Sequence, residues 1–205
     1  INSEEGITKC VQYALKSFGI DEPDLKKLLC FIGPPLDPVF REKYGFDADK
    51  AWQAVLKYRE RFDKTGIFEC ELYEGVADTI RKLKEAGCVI ALASSKPETA
   101  CRRILEHFSL TPYFDEIVGS TLDGSISTKQ QVLEELGRRM EHMQITKDQM
   151  CLIGDTEYDV IGANQFGIRC VGVSYGFGKR EQLERAGAYC VCDNMAEVVD
   201  ALQQM

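Results

Sequence analysis

The sequence predicts an α/β fold: a doubly wound parallel sheet preceded by an all-helical domain. Two patterns lead there. After Tyr73, short apolar runs alternate with amphipathic stretches of helical period, the signature of strands covered on both faces by crossover helices. Before it, apolar residues recur only at helical spacing. The 205 residues, 44% of them hydrophobic, suit a core domain with a modest helical addition.

The helical domain is expected over 1–72 and the α/β core over 73–205. In the first helix Ile7, Val11, Ala14, Leu15 and Phe18 fit one face, Ser3 with Glu4 and Glu5 supplies a start, and Gly19 a stop. A second helical piece runs through Leu25, Leu28 and Leu29, Gly33-Pro34-Pro35 interrupts it, and another helix spans 49–62. Tyr73-Glu74-Gly75-Val76 opens the core. Helices are expected at 78–86, 98–108, 129–140, 160–166, 179–186 and from Met195. Strands are expected at 88–93, 116–119, 150–153, 170–174 and 189–192.

A net charge of −8 with no Lys/Arg stripe excludes strong attraction to nucleic acid or to an anionic membrane, which need a basic face. A small anionic molecule held by local groups remains compatible. Nine cysteines, odd in number and without a C-x-x-C pair, indicate reduced thiols in a cytoplasm rather than a disulfide framework or a zinc site. Cys88, Cys151, Cys170 and Cys190 lie in strand-like runs and are expected to behave as small hydrophobes. No apolar run nears the roughly 20 residues of a membrane span, and the first residues lack a signal-peptide pattern.

Ligands of doubly wound sheets collect at the carboxyl ends of the strands, and three sequences there carry chemistry. The run 89–93 leads into Ser94-Ser95-Lys96-Pro97, with a hydroxyl and backbone N–H groups just ahead of a helix. Such a turn holds phosphate, although serine also caps helices there. The run 150–153 leads into Gly154-Asp155-Thr156-Glu157-Tyr158-Asp159. If the helix starts at once, Asp155 and Asp159 share a face and repel unless a cation joins them. Magnesium suits, taking one or two carboxylates and leaving positions for water and substrate phosphate; acids near a helix start are also ordinary dipole partners. Lys129 follows Ser127-Thr128, where Ser127-x-x-Gln130 has the form of a capping box. Its charge opposes the macrodipole, which a bound phosphate would justify; a solvated surface lysine is the other reading.

Two patterns are set aside. Gly172-Val173-Ser174-Tyr175-Gly176 has the G-x-S-x-G form, but that catalytic order needs a histidine after the serine, and His107 and His142 both precede Ser174. Ser174 is therefore read as strand-end structure, His107 as a helix C-terminal dipole partner and His142 as a loop residue.

The order Ser94, Lys129, Gly154-Asp155-x-x-x-Asp159, each in its place in the α/β alternation, resembles motifs two, three and four of the haloacid dehalogenase-like superfamily. The helical segment before Tyr73 resembles the C1-type cap. The stretch 172–178, with Glu181-Gln182-Leu183 and Ala186-Gly187-Ala188, resembles the phosphoglycolate phosphatase branch. The likeness covers nearly the whole chain.

It implies a Mg²⁺-dependent phosphatase acting on a small phosphorylated metabolite of phosphoglycolate, sugar-phosphate or nucleotide type. By that likeness Asp155 binds the metal, and Asp159 holds a metal-bound water or orients Lys129. Ser94, Lys129 and the amide of Ser95 hold the phosphoryl group. The cap excludes water, with Gly33-Pro34-Pro35 as a loop facing the site and Arg59 or Arg61 as a second anchor. A phosphosugar mutase of the same fold and a non-catalytic phosphate- or partner-binding module are the alternatives. Neither nucleic acid nor membrane is an expected partner, and the protein is expected to be a cytoplasmic monomer or homodimer.

One departure is large. The family's first strand ends in D-x-D-G-T, whose first aspartate attacks phosphorus, and no such motif precedes the helical domain; Asp47-Ala48-Asp49 lies within it and reads as a loop and helix-cap pair. Without that central strand the core is expected to split. Each unpaired backbone group costs about 1–3 kcal/mol against a total stability of about 5–15 kcal/mol. The intact protein is therefore expected to carry about 10–20 further N-terminal residues. An intact mass of 23.1 kDa for the functional protein would overturn that expectation.

Overall fold

The computed structural model describes residues 1–205, which divide into two compact units, Ile1–Glu71 and Leu72–Met205. In the first unit, helices α1 (Glu4–Ser17), α2 (Leu36–Tyr44) and α3 (Ala48–Phe62) carry the fold, with 3₁₀ turns at Leu25–Phe31 and Gly66–Phe68. Leu15, Leu28 and Phe40 are wholly buried and Phe31 nearly so, with the Phe31 and Phe40 rings 4.7 Å apart. An antiparallel bridge joins Asn2 to Glu71 through hydrogen bonds of 2.8 and 2.9 Å.

The second helical piece is thus a 3₁₀ turn, and α2 is a separate helix beyond the Gly-Pro-Pro break. The cause is local. Asp24 caps Lys26 N at 3.0 Å, and the chain is extended again at Ile32. At three residues per turn, Leu28 and Phe31 eclipse on the buried side. Asp47 caps α3 by accepting from Lys50 N at 2.8 Å. Ser3 precedes α1, but its hydroxyl is buried without a partner; the side chain of Asn2 accepts from Glu4 N instead.

The second unit alternates α4 (Val76–Glu85), β1 (Ala91–Pro97), α5 (Glu98–His107), β2 (Glu116–Ser120), α6 (Lys129–Arg139), β3 (Cys151–Gly154), α7 (Glu157–Phe166), β4 (Arg169–Val173), α8 (Arg180–Arg185), β5 (Cys190–Cys192) and α9 (Met195–Gln203). All strand pairs are parallel. They form two sheets, β1-β2 and β3-β4-β5. The inner residues of β2 and β4 are buried, whereas β1 is half-exposed and Ile153 of β3 is 39% exposed. Apolar side chains of β1 and β3 therefore meet solvent where a closed sheet would cover them.

Helix α6 packs on β1, β2 and α7, and α7 packs on β3 and β4, so these two helices bridge the sheets. Leu133, Val160, Ala163, Cys170 and Leu183 form the core of that layer. Helix α9 covers β4 and β5 on the other side over Val171, Val173 and Cys192.

Several element boundaries differ from the sequence expectation. Strand β1 starts at Ala91, so Cys88 is an exposed residue of the preceding turn rather than a strand hydrophobe. Asp115 fixes that start, accepting from Ile90 N at 2.9 Å and from Lys84 Nζ at 2.6 Å. The cap of α6 is Thr128, one residue after the expected serine. Its hydroxyl accepts from Gln131 N, while Gln131 Oε1 accepts from both Ser127 N and Thr128 N. His142 lies in a 3₁₀ turn, Glu141–Met143, against the carbonyl of Arg139.

Where β2 crosses the start of α5, Gly119 leaves no room for a side chain: a Cβ there would lie 2.5 Å from Lys96 O and against Glu98 N. Gly119→Ala is expected to lower stability by about 1–3 kcal/mol, read as a lower urea midpoint at unchanged m. An unchanged midpoint would show that α5 has slack to move.

Candidate active site

In the second unit Ser94 lies on β1, Asp155 follows β3, and Lys129 and Asp159 stand in the first turns of α6 and α7. The organising contact is Lys129. It leaves the first turn of α6, is 9% exposed, and places Nζ 2.8 Å from Asp159 Oδ1 and 2.8 Å from the Ala93 carbonyl on β1. It is not a solvated surface lysine. Gly162 on α7 lets it pass, since a Cβ at that position would lie 2.6 Å from both Lys129 Cβ and Cγ.

Asp159 is buried, 8% exposed, and its other oxygen is fully used. Oδ2 accepts from Thr156 N at 3.0 Å, Thr156 Oγ1 at 2.8 Å and Asp155 N at 3.2 Å. Thr156 and Asp159 thus form the capping box of α7. Burial alone would raise the Asp159 carboxyl. The Lys129 charge and the hydrogen bonds from Lys129 and Thr156 outweigh it and hold the group below the usual carboxylate range.

Asp155 and Asp159 do not share a helix face. Asp155 precedes α7, because the capping box starts the helix at Glu157, so the two acids have separate surroundings. Asp155 is half-buried and is gripped by the loop after β4: Oδ2 accepts from Phe177 N at 3.0 Å, and its backbone carbonyl from Gly178 N at 2.8 Å. A Cβ at Gly176 would stand 2.6 Å from Asp155 Cγ. Sequence reasoning did not assign this holding role to residues 176–178; the G-x-G spacing beside a strand end was the available signal.

Ser94 and Ser95 lie within β1, which runs on to Pro97 with an irregularity in its pairing between Ala93 and Pro97. Ser94 does not cap α5, whose cap position is Pro97. Its hydroxyl accepts from Lys96 N at 3.1 Å, and Ser95 is exposed. Ser94 directly follows the carbonyl that receives Lys129, which brings this residue beside the Lys129–Asp159 pair.

Gly33, Pro34 and Arg59 belong to the first unit. Gly33 sits at φ 105° in the bend before α2, and the Arg59 guanidinium lies 5.4 Å from the Trp52 ring centre. Arg61, the other arginine considered as an anchor, is not available for that role. It pairs bidentately with Glu69 at 2.6 and 2.8 Å and reaches Cys10 Sγ at 3.3 Å.

Ser174 is strand-end structure, donating to Asp193 and to the Cys192 carbonyl. A cavity of about 650 Å³ is lined by Lys147, Asn164, Arg169 and Tyr189. It opens at the amino ends of β4 and β5, away from the cluster and from the strand ends where such sheets bind ligands.

No group of three or more His, Cys, Asp or Glu side chains is gathered to hold a metal ion; Asp155, whose Oδ1 is not engaged by a protein donor, is the hard oxygen ligand that could hold a divalent cation together with water and substrate oxygens. Asp159 is engaged on both oxygens, which suits a residue that orients Lys129.

Residues 1–173 match the family model for haloacid dehalogenase-like hydrolases. A 5'-nucleotidase of Pseudomonas aeruginosa is 39% identical over 199 residues, 97% of this chain and 89% of that protein. Tyrosine-protein kinase PtkA of Mycobacterium tuberculosis is 29% identical over 203 residues, 99% of this chain and 67% of that protein. A crystal structure of a predicted phosphatase from Clostridium acetobutylicum superposes with a TM-score of 0.90 at 43% identity, covering 99% of this chain and 93% of that one.

Replacing Lys129 by methionine would leave the Asp159 charge buried without its partner. Lys129→Met is expected to cost about 3–5 kcal/mol of stability, measured by chemical denaturation. Lys129→Met/Asp159→Asn should recover most of it; a single variant as stable as the parent would show that the pair carries no structural weight.

Proposed function

The chain belongs to the haloacid dehalogenase-like hydrolases, and from that membership and the cluster around Lys129 we propose that it serves a Mg²⁺-dependent phosphatase acting on small phosphate monoesters. The observation that carries the reading is the Lys129–Asp159 pair at 2.8 Å, docked on the Ala93 carbonyl of β1. A buried ammonium fixed beside Ser94 is a charge aimed at a phosphoryl group. Phosphoryl transfer is mostly positioning and charge stabilisation, and these residues provide both.

In this reading Ser94 and the Ser95 amide hydrogen-bond the phosphoryl oxygens, Lys129 neutralises them, and Asp159 holds Lys129 in place. Asp155 holds Mg²⁺, which when bound offsets the negative charge of phosphate and of an attacking carboxylate. The attacking carboxylate that family membership implies is not one of the residues of this cluster. Attack on phosphorus by that carboxylate expels the alcohol and leaves a phospho-aspartate, which water then hydrolyses. Gly33, Pro34 and Arg59 in the first unit serve as substrate contacts, with the helical unit as a cap that excludes water. The naming of a relative as a 5'-nucleotidase favours nucleotide-type esters among the possible substrates.

Full-length protein with Mg²⁺ is expected to release phosphate from p-nitrophenyl phosphate, and Asp155→Ala to lower kcat at least about 100-fold. EDTA should abolish turnover and Mg²⁺ restore it. Turnover that survives both EDTA and Asp155→Ala would overturn the metal assignment; no turnover by the full-length protein would favour a non-catalytic phosphate-binding role.

A further inference from the structure

The loop that grips Asp155, residues 174–180, is itself held at both ends by one side chain outside the cluster. At its start Ser174 donates its hydroxyl to Asp193 Oδ1, and at its end Arg180 donates from Nη2 to the same oxygen at 2.7 Å. Between these anchors lie the two amides that hold Asp155, Phe177 N on Oδ2 and Gly178 N on the backbone carbonyl. The hydrogen bond from Ser174 first, and then that from Arg180, hold the Asp193 carboxyl below the usual carboxylate range. It is therefore an anion at neutral pH, and both anchoring bonds are charge-assisted.

Asp193 has a fixed base. It follows β5, its amide donates to Glu197 Oε2 at 2.7 Å, and Asn194 beside it caps α9 by accepting from Glu197 N at 3.0 Å. Two further ties run the same way: Ser174 N donates to the Cys192 carbonyl at 3.0 Å, and the Tyr175 hydroxyl donates to Met195 Sδ at 2.7 Å. The backbone at Gly178 lies against the Asp155 carbonyl with no space for a Cβ, so a displaced loop reaches the acid directly. Direct contacts thus lead from the start of α9 through Asp193 and the loop to the carboxylate of Asp155.

We propose that Asp193 is a positioning residue for Asp155: it sets the loop whose amides hold that acid, and through the loop it sets the affinity for the divalent cation. The proposal rests on the phosphatase reading for the role of Asp155 as metal ligand. It also gives the G-x-S-x-G run a task without nucleophile chemistry, with Ser174 as an anchor. A carboxylate held in place before the cation arrives loses less freedom on binding, and removing a group that orients a metal ligand typically weakens metal affinity about 10–100-fold. The Arg180 and Asp193 side chains are 38% and 61% exposed, and exposed pairs add little to stability. The effect is therefore expected in metal binding and not in unfolding.

The test uses full-length protein with Asp193→Ala, which removes both anchors, Asp193→Asn, which keeps an acceptor for Ser174, and Arg180→Gln, which breaks only the far end. Mg²⁺ affinity is measured by titration calorimetry, kcat and KM for p-nitrophenyl phosphate at saturating Mg²⁺, and exchange of the Phe177 and Gly178 amides by NMR in metal-free protein. Asp193→Ala is expected to weaken Mg²⁺ binding about tenfold and to leave KM for the ester within about twofold. Both amides should lose protection at an unchanged urea midpoint, with Asp193→Asn and Arg180→Gln lying between Asp193→Ala and the parent. Unchanged Mg²⁺ affinity or unchanged amide protection in Asp193→Ala would overturn the proposal, as would a loss confined to stability. A parent protein that binds no Mg²⁺ or turns nothing over would count against the phosphatase reading, while amide exchange still decides whether Asp193 holds the loop.

Discussion

The contact on which the second unit depends is the buried ion pair between Lys129 and Asp159. Three elements converge on it: α6 supplies the ammonium, α7 the carboxylate, and β1 a backbone carbonyl. No backbone ladder joins the β1-β2 sheet to the β3-β4-β5 sheet, so the α6–α7 layer and this pair bind the halves together. Burying two charges is costly unless each is paired and its remaining hydrogen-bonding capacity is filled. Here both oxygens of Asp159 are filled, one by Lys129 and the other by the start of α7.

That economy gives the two acids of the Asp155–Asp159 segment different fates. Asp159 completes the capping box at the start of α7 and is committed to structure and to Lys129. Asp155, outside the helix, is fixed by the amides of Phe177 and Gly178 and keeps one carboxylate oxygen without a protein donor. Glycines make both arrangements possible by removing side chains where backbone and functional group approach: Gly162 against Lys129 and Gly176 against Asp155. Substituting either glycine would disturb the site without touching a charged residue.

The parallel α/β alternation was legible because apolar runs and helical periods changed at predictable places, and the family likeness followed from Ser94, Lys129, Asp155 and Asp159 in order. What could not be read was three-dimensional. Lys129 gave an anomaly of charge at a helix start, but its partner lies 30 residues on, beyond the reach of local patterns. The relation of Asp155 to Asp159 was misread as a shared helix face because a capping box moves the first helical residue. Arg61 stood beside Arg59 as a possible second anchor, and only the fold brings Glu69, on a later turn, to close its fork. The holding role of residues 176–178 rests on backbone amides, which carry no side-chain signature.

The half-exposed strands β1 and β3 have a kinetic meaning. Parallel pairing is non-local and slow compared with helix formation. Edge strands with uncovered faces present apolar side chains and unpaired amides, the template by which strands of separate molecules recognise one another. The folding yield of such a domain then becomes a race between intramolecular pairing, independent of concentration, and edge-to-edge association, which rises with it.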